Sequence, residues 1–510
     1  MSFEWVHVLF AAGLLAAVAI VILHILFTMR DETERASLWI ILVIALPVFG
    51  IVLYLFAGIS RRNTFGKKIS RSVEHFFLKR NAAEHNDLKN YREAISRFIG
   101  HDLLEPETMN YNRTLNRLLN AGSPNAPQCE DEFSGVMQGT TSISGNKVEL
   151  FCDGTDTYPA MLDSIRSARK NINLQTFIFA EDRIGREIMN ALIERARAGV
   201  DVRVLFDKFG SLPSSWFLLR CRSKHLPNLK IRPFSHSSLF TPWRIQLRNH
   251  RKLLIVDGKT VFTGGLNISQ ENIKVNDHLG IHDFHCRVHG PIVGELQYSF
   301  LCDWLYSTKR APENLFIREY FPIPEPYGDD TVRVIASGHG YIFEGTEKVF
   351  FTATSTAEKS IWIITPYFVP SKDFSKALRM ASARGVDVRI ILPRINNHWY
   401  MKMASASFFE PLRCDGVRIF ERKDVFTHAK AMLVDNKWAY LGSSNCDIRS
   451  FRLNFELDLL VEEGEFIHSL YKQFLRELKN SEELTDEALS AKGPARKIVE
   501  SACALFTPIL

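Results

Sequence analysis

At 510 residues the chain has room for two to four domains, and 46% hydrophobic against 24% charged residues exclude a disordered or low-complexity protein. A formal net charge of +6 is too mild to imply nucleic acid by itself and suits a protein working beside an anionic surface. The eight cysteines (Cys129, Cys152, Cys221, Cys286, Cys302, Cys414, Cys446 and Cys503) include no CxxC pair and none at zinc-ligand spacing from a histidine. They read as reduced thiols rather than as a disulfide scaffold.

The apolar excess lies at the N-terminus. Trp5 to Met29 is almost wholly apolar, with an unbroken core from Val8 to Leu23, and Leu38 to Gly58 is a second such run. A helix needs about 20 apolar residues to cross the hydrocarbon of a bilayer. Only RDETERAS separates the runs, so residues 1–60 are expected to form a transmembrane helical hairpin. Arg61, Arg62, Lys67, Lys68 and Arg71 follow, and the positive-inside rule puts that flank, the N-terminus and everything after residue 60 on the cytoplasmic side. A cleaved signal peptide fits poorly, because MSFE has no positive n-region and the first run is too long. His24, near the end of that run, reads as an interfacial histidine.

Residues 61–145 are mixed and charged, with helical stretches such as the one opening SVEHFFLKR and a loop at SPNAPQ, and read as a linker or helical collar. Beyond residue 145 the chain is α/β. Lys147–Phe151 reads as a strand, followed by Tyr158, Met161, Leu162 and Ile165 at helical spacing, then by the strands INLQTFIF (172–179) and DVRVLF (201–206) around a helix. IWIITPYF (361–368) and GVDVRIIL (385–392) repeat those strands at offsets of 189 and 186. A repeat of that length implies duplication of a whole lobe. Lobes at 146–325 and 326–510 are expected, each a sheet flanked by helices, related by a pseudo-twofold.

The chemistry sits at the same place in each lobe. NHRKLLIVDGKTVFTGGLN (249–267) and THAKAMLVDNKWAYLGSSN (427–445) share H-x-K-x4-D, giving His250, Lys252, Asp257 and His428, Lys430, Asp435. Gly264 and Gly442 follow each Asp by seven residues, and Asn267 and Asn445 follow each Gly by three. One such string is weak; two, each after the same repeated strands, are strong. In extended chain, residues i and i+2 share a face, so each His and Lys project together. Two histidines, two lysines and two amides brought face to face suit a phosphate group, whose oxygens want fixed donors as charge builds, with histidine for proton transfer. Asp257 and Asp435 complete the motif but precede turn residues, which favours a structural turn role over catalysis. Asp283, 33 residues after His250, and Glu456, 28 after His428, are candidates to orient the imidazoles.

RNHRK, GGLN, TPYFVP, HAK, GSSNCDIRS and LNFE, together with the N-terminal hairpin ending LPVFGIVLYLFAG and the terminal TPIL, resemble the bacterial cardiolipin synthases of the phospholipase D superfamily. The resemblance covers nearly the whole chain, least so at 72–140. It implies duplicated phospholipase D-like lobes and transfer of a phosphatidyl group between two phosphatidylglycerol molecules, giving cardiolipin and glycerol without metal, nucleotide or other cofactor. It implies that His250 becomes a phosphohistidine and that His428 serves as acid and then base. Lys252, Lys430, Asn267, Asn445 and Ser443 would hold the phosphate, with Glu456 supporting His250 and Asp283 supporting His428. The partners implied are phospholipid and an inner-membrane bilayer; the sequence leaves the oligomer open. Two departures stand out: ISQENIKVNDH follows GGLN where the family carries an acidic, aromatic stretch, and Ile281-His282-Asp283 replaces Trp-x-Asp.

Other readings of the same core are a phospholipase D-type hydrolase, a transferase with another acceptor, and a membrane-tethered nuclease. A nuclease calls for a basic stripe with stacking aromatics, which a net +6 does not supply.

Overall fold

In the computed structural model, residues 3–29, 33–58, 91, 94–98, 142–222, 226–234, 248–275, 278–308, 319–338, 345–491 and 493–505 are described. Most of the expected collar, SPNAPQ and Cys129 lie outside them. Among described residues, Cys152, Cys286, Cys414, Cys446 and Cys503 are reduced thiols.

The first apolar run is one helix, Phe3–Thr28, whose stretch His7–Thr28 has a mean hydropathy of 2.8 and is long enough to cross a membrane. The second run does not match it. Helix Thr33–Ala45 stops at Leu46, because Pro47 lacks an amide hydrogen and disfavours helical backbone before it. The chain restarts as Pro47–Leu53 and ends in a π-helical turn, Tyr54–Gly58. The expected helical hairpin takes the form of one full-length helix with a broken helix packed against it. Ile25, Trp39, Val43 and Tyr54 are buried between them, and His24 Nδ1 meets the Tyr54 hydroxyl at 2.8 Å.

The repeated lobes share one sheet of fifteen strands. From the centre outward, the first lobe runs Ile143–Cys152, Phe284–His289, Thr260–Gly264, Leu253–Val256, Asn171–Thr176, Asp201–Phe206 and Leu229–Pro233. The second runs Asp330–Ser337, Glu456–Glu463, Trp438–Gly442, Ala431–Val434, Ser360–Ile364, Asp387–Pro393 and Arg418–Arg422, with Ser481–Glu483 added at its edge. Position for position the order is the same, and in both lobes the outer strands are parallel and the inner ones antiparallel. The halves join where Ile143 faces Val332 and Asn146 faces Asp330.

Each half-sheet is buried on both faces: Leu253–Val256 and Ala431–Val434 are continuous apolar runs, whereas Asn171–Thr176 (NINLQT) alternates and buries its polar side chains as well. Helices Gly154–Ser167 and Arg183–Arg197 cover the outer face of the first lobe, and Gly345–Thr356, Lys372–Ala383 and Phe409–Cys414 that of the second. The inner faces meet in one core shared by both lobes, where Phe284, Val288 and Leu253 join Val332, Leu441 and Leu459 beside helices Val293–Thr308 and Glu465–Lys479. This shared core brings the two motifs together.

Candidate active site

His250 lies just before strand Leu253–Val256, and His428 just before Ala431–Val434. Each is stitched to the other lobe. The His250 amide donates to the Phe455 carbonyl at 2.9 Å, and the Phe455 amide donates to the Arg248 carbonyl at 2.9 Å. The His428 amide donates to the His282 carbonyl at 2.6 Å, and Phe426–Thr427 pairs in parallel with Ile281–His282. Phe455 and His282 are thus equivalent positions. So are Glu456 and Asp283, each two residues before the residue that pairs with Gly442 or Gly264 (Asp458 and His285).

The carboxylates consequently cross between lobes. His428 Nδ1 lies 2.7 Å from Asp283 Oδ2, and His250 Nδ1 lies 3.3 Å from Glu456 Oε1. Both carboxylates are wholly buried, whereas the imidazoles keep 17% and 19% of their side-chain surface. Each histidine therefore turns Nδ1 to a buried acid and leaves Nε2 for whatever enters from solvent. Gly265 makes room for this: a Cβ there would sit 2.1 Å from Asp283 Oδ1.

Electrostatics hold the imidazoles neutral. Burial lowers the His250 pKa, with Glu456 opposing and Lys252 assisting. Burial and then the Lys430 charge lower His428 to about 4, against Asp283. Burial lowers Lys252, and it brings Lys430 down to about 7. Burial pushes Asp283 and Glu456 up, but the facing imidazoles and the lysine charges outweigh it and hold both acids low. The fields of Lys252 and Lys430 both bear on each histidine, so the two motifs form one electrostatic unit.

Lys252 Nζ donates to its own motif's His250 carbonyl at 2.6 Å, and Lys430 Nζ donates likewise to the His428 carbonyl. Lys430 Nζ also stands 2.8 Å from His428 Nδ1, but that nitrogen's proton is engaged by Asp283. Asn267 Oδ1 accepts from the Ile178 amide at 3.1 Å, which fixes its Nδ2 as the remaining donor. Asn445 is buried, with its Oδ1 unpartnered. Ser443 departs from expectation. Its hydroxyl donates to Glu456 Oε2 at 2.6 Å and accepts from the Leu457 amide at 2.9 Å. It braces the carboxylate behind His250 instead of facing a phosphate.

Asp257 and Asp435 are placed away from the site, at the far end of the strand each motif enters, which corrects their grouping with the catalytic residues. The Asp257 carboxylate accepts from the amides of Arg169, Lys170 and Asn171, and Asp435 from those of Glu358, Lys359 and Ser360, at 2.7–3.0 Å. Both occupy left-handed backbone in tight hairpin turns, followed by Gly258 (φ 63) and Asn436 (φ 57). Asp435→Ala is expected to cost about 1–3 kcal/mol of stability, lowering the thermal midpoint while leaving kcat within about threefold. Thermal unfolding beside lipid-product assays checks this; a kcat collapse in a folded variant would return Asp435 to the chemistry.

Two residues of the site were not anticipated. Arg251, between His250 and Lys252, is fully buried: its guanidinium reaches Asp303 Oδ2 at 2.9 Å, Ser299 Oγ at 3.0 Å, and the carbonyls of Glu456 and Ser337 at 3.0 and 2.8 Å. Its second-lobe counterpart is Ala429, so no repeat flagged it. His282 is clamped between Asp153 Oδ1 at 2.6 Å and Glu477 Oε1 at 2.9 Å, one acid from each lobe. Burial opposes its charge, but the two carboxylates carry its pKa up to about 10. A cation thus stands behind His428 where the equivalent Phe455 packs on Phe234 and Tyr306 behind His250.

Equivalent strand orders and carboxylates exchanged across a histidine–lysine site define a duplicated phospholipase D-like fold. The family described as "Cardiolipin synthase, PLD-like domain" matches residues 161–304 and 351–478, and "Phospholipase_D-nuclease N-terminal" matches 16–58. Among similar proteins, the cardiolipin synthase of Halalkalibacterium halodurans is 31% identical over 98% of this chain and 94% of its own length. "Probable cardiolipin synthase YwiE" of Bacillus subtilis is 29% identical with the same coverage. The crystal structure of phosphatidylserine synthase from Haemophilus influenzae superposes with a TM-score of 0.55 at 17% identity, covering 71% of this chain and 95% of that one, which supports the fold. The chain belongs to the cardiolipin synthase family of phospholipase D-like proteins. With its apolar N-terminal helix, it is a membrane-associated, phospholipid-modifying enzyme.

Proposed function

We propose that the chain is a phosphatidyltransferase that makes cardiolipin and glycerol from two phosphatidylglycerol molecules. The observation that carries the reading is the crossed pair, His250–Glu456 and His428–Asp283, with both lysines in the same buried field. His250 Nε2 attacks phosphorus and the P–O bond to the glycerol headgroup breaks, while His428 Nε2–H protonates the departing oxygen. The headgroup hydroxyl of a second phosphatidylglycerol then loses its proton to His428 and attacks, breaking the P–N bond. Two displacements replace one difficult exchange. Lys252, Lys430 and the amides of Asn267 and Asn445 hold the phosphate oxygens, Glu456 and Asp283 orient the rings, and Ser443 braces Glu456. An anionic phosphodiester offsets the lysine charges and so permits His428 to take up the proton it needs. The basic run Arg61–Arg71 supports an inner-membrane protein with both lobes on the cytoplasmic side.

Purified protein given phosphatidylglycerol as the only lipid is expected to yield cardiolipin and glycerol in equal amounts by mass spectrometry. Phosphatidic acid without cardiolipin, with or without added phosphatidylethanolamine, would make the enzyme a hydrolase instead.

A further inference from the structure

Among the described residues outside the N-terminal helices, two tryptophans are conspicuously exposed: Trp216 at 79% and Trp399 at 68%. They occupy corresponding places in the repeat. Trp216 opens helix Ser215–Arg222 after strand Asp201–Phe206, and Trp399 opens helix Trp399–Ala406 after the equivalent strand Asp387–Pro393. Leu212, Trp216 and Leu219 are all exposed and stand at i, i+4 and i+7, while Leu218 and Cys221 turn to the core. Ile395, four residues before Trp399, is exposed as well.

Both segments are wired to the catalytic histidines. Asp207, at the root of the first, accepts from the Asn249 amide at 2.9 Å, one residue before His250. In the second, Asn397 Oδ1 accepts from the Tyr367 hydroxyl at 2.7 Å, and the Tyr367 ring stands 6.3 Å from that of His428. Each tryptophan's segment thus leaves its half-sheet at the end where that lobe's histidine sits. The first segment is also strongly basic. From Lys208 to Phe234 the sequence has six lysines and arginines and no carboxylate, and the carboxylate of Asp207 before it is buried and spent on amides; Lys230 pairs with Asp201 and Arg232 stands over Trp304, while Lys208 and Arg222 are exposed beside the helix.

We propose that Leu212, Trp216 and Leu219, with Ile395 and Trp399, are two feet by which the catalytic lobes rest on an anionic bilayer, the site opening between them. This rests on the reading of the substrate as a membrane phospholipid. Tryptophan and leucine on one face with arginine beside them match the headgroup boundary, where an amphipathic ring has one apolar and one wet side. The basic segment complements anionic headgroups. The apolar helix Phe3–Thr28 keeps the chain at the bilayer, so weak feet suffice by effective concentration. A lipid phosphodiester then needs to rise only by headgroup depth to meet His250 and His428.

The test uses the full chain in nanodiscs of phosphatidylglycerol or of phosphatidylcholine, and in amphipol. Amide exchange over residues 209–222 is expected to slow about fivefold or more in phosphatidylglycerol discs relative to the other two, as an inserted interfacial helix is shielded. A Leu212→Ser, Trp216→Ser, Leu219→Ser variant alters only exposed side chains. It is expected to lose that protection and to raise the apparent KM for phosphatidylglycerol in discs about tenfold, with kcat and turnover of dispersed short-chain phosphatidylglycerol unchanged. Equal exchange in all three settings, or a variant indistinguishable from the parent on discs, overturns the proposal; equal protection on phosphatidylcholine overturns its anionic part. Protection on phosphatidylglycerol discs that yield no cardiolipin would uphold the docking and overturn the transferase reading.

Discussion

His250→Ala and His428→Ala are each expected to cut cardiolipin formation by about 10⁴–10⁶-fold, and the double variant by little more than either alone. On the proposed mechanism both imidazoles act in each of the two displacements, so losing either stops the same cycle. Ordinary substrate does not reveal which one carries the phosphoryl group, since both steps need both residues. A phosphodiester with a nitrophenyl leaving group removes that difficulty, because its departure needs no acid. On it, His428→Ala is expected to release a stoichiometric burst of nitrophenol and to hold the lipid phosphoryl on His250, detectable as an acid-labile peptide adduct. His250→Ala is expected to show no burst. The reverse pattern would exchange the roles. The geometry favours the first assignment: His428 has the shorter contact to its acid, 2.7 Å against 3.3 Å, and so the better-supported imidazolium.

What the sequence shows plainly is chemistry written in contiguous strings. H-x-K and the Asn that follows each Gly flank one hairpin of adjacent strands, so extended-chain geometry and the 186–189 repeat suffice to pair them. The crossed carboxylates are a different case. Asp283 and Glu456 each follow their own motif in the chain, and linear order gives no sign that a shared core hands each acid to the other lobe; only resemblance implied the exchange. Arg251 reads as one more surface cation in RNHRK, because a buried guanidinium is identified by its partners Asp303, Ser299 and two carbonyls, which lie far off in sequence. His282 and Ser443 share that difficulty, their roles being set by acids from both lobes or from a neighbouring strand. The break at Leu46–Pro47 was written in the chain, but counting apolar residues outweighs one proline in a twenty-residue window. The Asp-Gly and Asp-Asn turns were legible as turns because left-handed backbone selects those residues.

Removing the buried acids should separate the two histidines without touching them. Asp283→Asn and Glu456→Gln are each expected to lower kcat by about 10²–10⁴-fold, the range for an acid that orients an imidazole, with little change in KM because neither acid is aimed at the substrate. Their pH profiles should differ. A carboxylate beside an imidazole or an ammonium favours the charged form and raises its pKa, so removing it lowers that pKa. On the proposed mechanism His428 must hold a proton when the leaving oxygen departs, and Lys430, already brought down to about 7, must stay charged to hold phosphate; Asp283 raises both. In Asp283→Asn the alkaline limb of kcat is therefore expected to move to lower pH. On that mechanism His250 must be neutral to attack, and loss of Glu456 lowers its pKa further; Glu456 also raises Lys430, by less than Asp283 does, so Glu456→Gln is expected to lower the plateau and to move the alkaline limb less than Asp283→Asn does. Circular dichroism establishes that both amide variants fold, and kcat against pH in mixed micelles gives the comparison. An alkaline limb displaced further in Glu456→Gln than in Asp283→Asn would mean that His250 is the acid and that the lobes have traded roles.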